Sequence, residues 1–464
     1  MSSLGILEFP ALIASGGKYE AVQLWMSIPF VLLLALIAVM PLTGKKWKHR
    51  WERFYPAVSL VLGLAVAAYY IPLVPGGAGD VWHSLKEYIS FIALVGSLFV
   101  ISGGIAIRLP GEATPKTNVL FLLIGAVLAN LIGTTGASMV LIRPWMQINK
   151  YRLSAFHIVF FIFIVSNVGG ALTPIGDPPL YIGYLRGVEF FWIFEQANLP
   201  WAFVVGALLA VFYLIDLRSF RKAGARSRLA EKSAERMALS VRGVKNIGYL
   251  LVVVCAVFLP GQVSVPVREV LETYFVREIV MVLAAVASYF QTHPEIHREN
   301  NFNFEPIREV GYLFVGIFLT MVPALAYLTT HGPQIAEMLK SPAHYYFASG
   351  ALSGFLDNTP TYANFFDLIR SIVPAEIPAT EQVDWMTDTE NPAYSLLVVA
   401  ISLGSVFFGA LTYIGNGPNF MVKSIAEAEN VKMPSFFGYI FRYSLPVLVP
   451  VLVFCAWIFL SSSQ

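Results

Sequence analysis

Oxygen-bearing side chains interrupt the apolar sequence in four short clusters, two of which contain an aspartate. Hydroxyl, amide and carboxylate oxygens suit hard cations such as Na⁺, whereas half-helix N-termini favour anions, so both kinds of ion fit the chemistry. An acid within a membrane-spanning segment is costly and therefore indicates function. We predict that the clusters converge on one ion- or substrate-binding site, with Asp357, Asn358 and Asn416 as candidate Na⁺ ligands. The four clusters are Thr134, Thr135 and Ser138; Asn167, Thr173 and Asp177; Asp357, Asn358, Thr359 and Thr361; and Thr412, Asn416 and Asn419.

The two aspartates are expected to have different roles. Asp357 lies in the middle of an apolar run without a nearby Lys or Arg, so we predict that proton and cation compete for its carboxylate. Asp177 lies in a Gly-Asp-Pro turn, where an aspartate can also serve only to cap the half-helix that follows. In a second copy of this turn the equivalent residue is Asn416. We therefore expect Asp177→Asn to be milder than Asp357→Asn.

The turn around Asp177 belongs to a phrase that occurs twice. Residues 170–180 read GALTPIGDPPL and residues 409–419 read GALTYIGNGPN, a match without gaps. Each copy ends an apolar run with Gly and Pro, which weaken helices. Broken helices at matching places in two halves of a chain indicate the binding site of a transporter. The alternatives are a pair of purely structural kinks and a chance match between glycine-rich runs.

Ten apolar runs are close to the length that a helix needs to cross a bilayer, about 17–25 residues. Two further runs, 118–142 and 344–372, have polar centres that contain Gly or Pro. These centres predict re-entrant hairpins with tips buried in protein, and the alternative for each is an ordinary span with a polar patch. The ten runs are 24–42, 56–73, 87–107, 155–172, 200–217, 246–261, 277–291, 309–329, 394–413 and 437–460.

Loop charges orient these segments. The 43–54 and 218–245 loops are basic, whereas 373–393 contains five acids and no Lys or Arg. By the positive-inside rule both basic loops are cytoplasmic, and both termini are external. Each half then has five spans. Because five is an odd number, the second half starts on the opposite face of the membrane and is inverted relative to the first. We predict an all-α polytopic membrane protein with two inverted repeats, 1–217 and 246–464, joined by a cytoplasmic basic connector, 218–245; each repeat has a re-entrant hairpin and a broken helix.

Composition excludes several classes of function. The chain is 57% hydrophobic and 13% charged with a net charge of +2, which is typical of a membrane protein and suggests no nucleic-acid partner. Cys255 and Cys455 lie in apolar runs, so we expect neither a disulfide nor a cysteine metal site. Nucleotide-binding motifs, zinc motifs and nucleophile–base pairs are missing, so we expect no enzyme and no cofactor. Without a signal-peptide pattern, we expect a multi-pass protein of the cell's inner (plasma) membrane with the lipid bilayer as its partner.

The remaining charged residues are expected near the membrane interfaces. Arg143 and Asp367 follow the two hairpin tips and are interpreted as marking the hairpin bases, with gating as the alternative. Arg186 and Lys423 follow the two helix breaks and are expected to reach the interface by snorkelling. His157 starts its span and is more typical of an interfacial histidine than of a proton relay. No Lys or Arg is therefore expected at the centre.

Two phrases of the sequence resemble the ion transporter superfamily. They are Ser166-Asn167-Val168-Gly169-Gly170 with Gly176-Asp177-Pro178-Pro179, and Leu356-Asp357-Asn358-Thr359-Pro360-Thr361. The superfamily includes NhaD-type sodium/proton antiporters, arsenite carriers, citrate–metal symporters and divalent-anion/sodium symporters, and the chain is most similar to the branch named "putative citrate transporter". The resemblance covers most of 50–460. It implies two re-entrant hairpins, two broken helices, a moving transport domain and a scaffold that commonly forms a homodimer.

The hairpin tips differ from those of the dicarboxylate symporters in that superfamily. There each tip carries a Ser-Asn-Thr triplet that holds sodium and carboxylate; here the tips read Gly133-Thr134-Thr135 and Asp357-Asn358-Thr359. A carboxylate substrate beside Asp357 and Asp177 needs a compensating cation, because like charges repel strongly at low effective dielectric, whereas Na⁺ needs none. We therefore predict a secondary active transporter that exchanges Na⁺ for H⁺ by alternating access at a midplane site. The alternatives are a cation-coupled citrate or dicarboxylate transporter and an arsenite-type carrier.

Overall fold

The computed structural model describes residues 19, 21–40, 43, 45–108, 113–222, 240–258, 271, 273–300, 302–356 and 358–460. Nearly all of these residues are helical, and the two short strands that they contain, β1 (Ala106–Arg108) and β2 (Ser240–Arg242), pair antiparallel with each other. Among the described residues, seven helices are long and apolar enough to cross a membrane. The chain is therefore an all-α polytopic membrane protein, and this part of the prediction is confirmed.

The described part of the chain contains seven α-helices before residue 223 and eleven after residue 239. In the first half they are α1 (Ile28–Val39), α2 (Lys45–Leu73), α3 (Gly77–Gly103), α4 (Pro115–Ile148), α5 (Ala155–Ile164), α6 (Pro178–Leu185) and α7 (Trp192–Lys222). In the second half they are α8 (Lys245–Phe258), α9 (Val276–Gln291), α10 (Pro294–Glu299), α11 (Glu305–Ala336), α12 (Pro342–Leu356), α13 (Asn358–Ser371), α14 (Gln382–Thr387), α15 (Pro392–Phe407), α16 (Gly417–Ala428), α17 (Phe436–Tyr439) and α18 (Val449–Phe459). A 3₁₀ turn precedes α1 (Leu24–Ser27), others follow α5 (Val168–Gly170) and α15 (Phe408–Leu411), and a π-helix joins α17 to α18 (Ile440–Leu448).

Helix α4 is a hairpin and not a single crossing. Gly133 has φ 78° and ψ 153°, a left-handed conformation that favours glycine and stops the helix at that point. Beyond it the chain turns back, because the Asn118 side-chain amide donates to Asn149 Oδ1 at 2.9 Å. A straight helix would separate these two residues by about 46 Å. The hairpin predicted over 118–142 is therefore present, and its alternative, a plain span, is wrong.

The second hairpin consists of α12 and α13. The rings of Tyr345 and Phe365, one on each arm, lie with their centroids 6.4 Å apart. A straight helix would place these residues about 30 Å apart. The chain therefore turns back within the predicted 344–372 segment. Asp357, predicted at this tip, lies outside the described residues.

The described helices pack as two groups. The first, called here the scaffold group, contains α1, α2, α3, α8, α9 and α11. The second, the hairpin group, contains both hairpins and the broken helices with their neighbours, α4 to α7, α12, α13 and α15 to α18. The groups meet chiefly where α3 contacts α4 and where α11 contacts α13. The inversion of one half relative to the other stays a prediction.

Two predicted loop boundaries are wrong. The basic 43–54 segment is mostly the start of α2, which begins at Lys45. The predicted connector 218–245 begins inside α7, which continues to Lys222, and contains β2 and the first residue of α8. Its central part, 223–239, lies outside the described residues. Residues with high helix propensity extend both helices beyond their apolar runs. Hydropathy alone does not predict these extensions.

Candidate functional site

A single buried aspartate joins both hairpin tips to both helix breaks. Asp177 is fully buried and accepts a hydrogen bond from Thr134 Oγ1 at 2.7 Å, at the first tip. Its other carboxylate oxygen accepts from Asn358 Nδ2 at 2.7 Å, beside the second tip. Asn416 Nδ2, at the second break, donates at 3.2 Å to the same Asp177 oxygen as Thr134. The predicted convergence of the four clusters is therefore found for these residues.

The capping role considered for Asp177 is wrong. Asp177 occupies the N-cap position of α6 with an extended backbone, but its side chain makes no hydrogen bond to the backbone of that helix. Asn416 lies at the same position before α16 and likewise makes no side-chain cap. Both side chains instead point away from their own helix and bond residues of other elements. The site uses these side chains for contacts between the halves.

Side-chain amides connect the two breaks directly. Asn416 Nδ2 donates to Asn167 Oδ1 at 3.1 Å, and Asn167 Nδ2 donates to Asn419 Oδ1 at 2.6 Å. Asn419 Nδ2 in turn donates to the Gly409 and Thr412 carbonyls at 2.8 and 3.0 Å. All five residues are buried. Side-chain amides therefore donate hydrogen bonds to the carbonyls of the unwound backbone, which have no partner from lipid or water at the centre.

The threonine of each repeated phrase anchors its break to the neighbouring hairpin. Thr173 Oγ1 donates to the Asn130 carbonyl on α4, and Thr412 Oγ1 donates to the Gly354 carbonyl on α12, both at 2.6 Å. Asn130 adds its side chain, which donates to the Gly169 carbonyl at 2.6 Å. The two halves thus use the same bond at corresponding places.

Close backbone packing explains the glycines of the repeated phrase. A Cβ at Gly176 would lie 2.1 Å from the Gly170 carbonyl oxygen, and one at Gly415 would lie 2.5 Å from that of Gly409. Contacts this short are excluded, so only glycine fits. Each break is a tight backbone loop whose shape is specified locally by these residues.

The other predicted residues lie close to this centre. Ser138 hydrogen-bonds Ser166 at 2.7 Å, which links the first hairpin to the end of α5. Thr359 and Thr361 are buried on the first turn of α13, and Thr135 is half-buried beside the first tip. Asp357, the aspartate favoured from the sequence, lies outside the described residues.

The structure corrects the interpretation of Arg186, which does not snorkel. Arg186 is buried and its guanidinium bonds Asp367 Oδ2 at 2.9 Å and Glu87 Oε1 at 3.3 Å. Asp367 therefore pairs with Arg186 and is not a free marker of the hairpin base. The sequence contains no signal for this triad, because its members are about 100 and 180 residues apart.

His157 is fully buried within the protein. Its Nε2 lies 3.2 Å from Asp216 Oδ1, and Arg152 also pairs with Asp216. Asn118 Nδ2 donates to the same carboxylate at 2.9 Å. This cluster joins the base of the first hairpin to α7. It is an ion-pair network away from the aspartate at the breaks.

A wide cavity reaches the second break. Its volume is about 630 Å³, and Asn416 and Gly417 are among the residues that line it. Charged residues line it from both helix groups, among them Arg143 and Glu429 on one wall and Arg308 and Glu309 on the other. On the Arg186 side, the gap lined by Glu87 and Thr359 has no room for a water molecule. Among the described residues, the cavity thus reaches Asn416, whereas the gap beside Glu87 and Thr359 is filled.

Comparison with known proteins gives one family. A family model described as "Putative citrate transport" matches residues 19–460, nearly the whole chain. No curated protein matches the chain.

Proposed function

This chain belongs to the "Putative citrate transport" family, and from that premise we propose that it is a secondary active transporter that exchanges Na⁺ for H⁺ at Asp177. The family points to transport and not to catalysis. The observation that carries the choice of ion is the environment of one carboxylate. Asp177 is fully buried, and its donors Thr134, Asn358 and Asn416 are all neutral.

A carboxylate without a charged partner is unstable in such surroundings. Hydrogen bonds from neutral groups offset only part of the cost of burying an ion, so the group needs a proton or a bound cation. Within the part of the chain that the structure describes, no Lys, Arg or His side chain hydrogen-bonds Asp177. Proton and Na⁺ therefore compete for it, since protonation removes the charge that attracts the metal ion. Exchange of one for the other follows directly.

The groups around Asp177 can serve a dehydrated cation. The hydroxyl of Thr134 has oxygen lone pairs, and the amides of Asn358 and Asn416 each present an oxygen after half a turn about the terminal bond. These are hard oxygen ligands of the kind that suit Na⁺. Asp357 directly precedes Asn358 in sequence, and we keep it as the second candidate carboxylate.

The test is collapse of an imposed pH gradient in proteoliposomes. Addition of Na⁺ without any carboxylate should collapse the gradient, and protein-free liposomes and the Asp177→Asn variant provide the controls. Li⁺ and K⁺ run in parallel define which cation is carried. A gradient that no cation disturbs would contradict the proposal.

A second candidate is cation-coupled carboxylate transport, favoured by the cavity. Its volume of about 630 Å³ is ample for a small organic anion, and Arg143 lines its wall near Asn416. Cations at Asp177 would then neutralise the acid beside the substrate. Uptake of radiolabelled citrate or succinate that requires Na⁺, without gradient collapse by Na⁺ alone, would select this candidate.

We further propose an orientation in the plasma membrane. Both termini are external, the halves 1–217 and 246–464 are inverted relative to each other, and the 218–245 connector is cytoplasmic. A cysteine replacing Thr387 should react with an impermeant reagent added outside sealed cells, and one replacing Ser227 should not. Reaction at Ser227 would overturn the inversion.

A further inference from the structure

Corresponding residues lie at a closed gap beside Glu87 and at the open cavity beside Asn416. On the closed side, Arg186 follows α6 and Asp367 lies on α13, both in the hairpin group, whereas Glu87 lies on α3 of the scaffold group. The distances are 2.9 Å from Arg186 Nη1 to Asp367 Oδ2 and 3.3 Å from Arg186 Nε to Glu87 Oε1. The guanidinium therefore ties one helix group to the other.

This tie is largely shielded from solvent. The side chains of Arg186, Glu87 and Asp367 retain 5%, 7% and 16% of their exposure. Arg186 Nη1 also donates to the Ala363 carbonyl on the second hairpin at 3.2 Å. If the two helix groups separated here, Glu87 would lose Arg186 as its partner while Arg186 kept Asp367. A charge left without its partner in a low-dielectric gap is costly unless water enters at the same time.

The open cavity is lined by the residues that are aligned, in the other half of the chain, with Asp367 and Glu87. When the hairpin tips are aligned Gly133 to Asp357, Asp367 corresponds to Arg143. Each of the two scaffold helices contains a basic residue followed by a glutamate, Lys86-Glu87 in α3 and Arg308-Glu309 in α11, so Glu87 is aligned with Glu309. Both Arg143 and Glu309 line the open cavity, on walls from different helix groups.

One chemical difference distinguishes the two sides. On the closed side Asp367 and Glu87 are both acids, and Arg186 must lie between them. On the open side the residue that corresponds to Asp367 is itself an arginine, Arg143. Among the described residues, Arg143 Nε is buried without a hydrogen-bond partner. Arg143 can therefore pair with Glu309 directly once the walls approach.

We propose that the protein alternates between two ion-pair closures. In the present conformation Arg186 joins Glu87 at the closed gap, while Arg143 and Glu309 both line the open cavity. In the opposite conformation Arg143 joins Glu309, the cavity closes, and Arg186 leaves Glu87. The inference rests on alternating exposure of the Asp177 site in the proposed function and not on which ion is carried.

Reactivity of a cysteine in the cavity measures the balance between the two conformations. Ser424 lines the cavity from α16, and Ser424→Cys in an otherwise cysteine-free protein provides the probe. In detergent, a water-soluble thiol reagent should label it fast in the parent protein. Arg186→Gln should slow the labelling by about tenfold, because loss of a charge-assisted pair favours the closed cavity. Arg143→Gln, which breaks no hydrogen bond or ion pair among the described residues, should leave labelling as fast or faster.

Transport by charge-reversed variants tests the pairing itself. Arg143→Glu should lower exchange by about tenfold or more, since it places two acids together in the closed cavity. Arg143→Glu combined with Glu309→Arg should restore exchange to within about twofold of the parent. Arg143 makes no ion pair with the described residues, so these variants remain informative even where Arg186→Gln does not fold.

The outcomes separate this inference from the choice of ion. Failure of the double reversal to restore exchange, or equal labelling in all backgrounds, would overturn the ion-pair closure. Normal closure together with no Na⁺-driven gradient collapse would overturn the proposed ion and leave the closure in place.

Discussion

Replacement of Asp177 by asparagine removes the negative charge of the site and nearly preserves its shape. Asp177 is fully buried and accepts from Thr134, Asn358 and Asn416. The asparagine keeps one oxygen and can retain the bonds from Thr134 and Asn416. Its amide group would face the Asn358 amide, so one hydrogen bond is lost unless Asn358 turns over.

The effect on folding should be small. A lost buried hydrogen bond costs about 1–3 kcal/mol, but removal of an unpaired buried charge offsets a penalty of several kcal/mol. The two contributions oppose each other. We expect the melting temperature of Asp177→Asn in Na⁺-free buffer to stay within a few degrees of the parent protein.

The effect on ion binding should be large. A unit charge attracts Na⁺ about 4 Å away by about 4 kcal/mol at an effective dielectric constant near 20. Loss of that attraction lowers affinity by about a thousandfold. The residual amide oxygen recovers only part of it. Na⁺-driven exchange should therefore be undetectable at concentrations that saturate the parent.

The assay is pH-gradient collapse in proteoliposomes across a wide range of Na⁺ concentrations. Asp357→Asn is the matched control, because it removes the other candidate carboxylate by the same change of atoms. If Asp177→Asn exchanges at a near-parental rate while Asp357→Asn does not, the role proposed for Asp177 is wrong and the interpretation from the sequence is restored. A melting temperature that falls by tens of degrees would instead identify Asp177 as a structural residue.

Three further predictions concern the framework. Gly176→Ala should lower the melting temperature and abolish transport, since its Cβ would lie 2.1 Å from a carbonyl oxygen, whereas Gly206→Ala, with open space around it, should not destabilise the protein. Asn130→Ala should lose about 1–3 kcal/mol for each of the two backbone groups its side chain bonds in the first break, seen as a lower unfolding midpoint. The exposed Arg242 guanidinium hydrogen-bonds Glu295 and lowers the pKa of that carboxyl; the pair therefore stabilises the fold above the ordinary glutamate pKa and ceases to do so as pH falls through the lowered value. Arg242→Gln should thus lower the melting temperature slightly at neutral pH, with no difference in acid or at high salt; an effect that persists in acid would contradict this.

The sequence by itself determined that the chain is helical and where the two breaks lie. Apolar runs of spanning length predict helices because a backbone in lipid must satisfy its own hydrogen bonds. The glycines of the repeated phrase predict the breaks because their contacts, such as Gly176 with Gly170, lie within one short loop. Such information is local, so a few consecutive residues contain it. The tips at Gly133 and beside Asn358 follow from the same kind of signal.

Tertiary structure alone decided which charged groups meet. Asn358 bonds Asp177 across 181 residues of chain, and Arg186 bonds Asp367 across another 181. Capping of α6 and bonding to the second tip are equally compatible with the local sequence at Asp177, and only the packing of the second hairpin against the first break selects between them. Snorkelling of Arg186 was likewise the default for an isolated helix, and it fails because acids on two other helices lie within reach. A linear pattern records the types of these groups but not their separation in space, on which electrostatic energies depend.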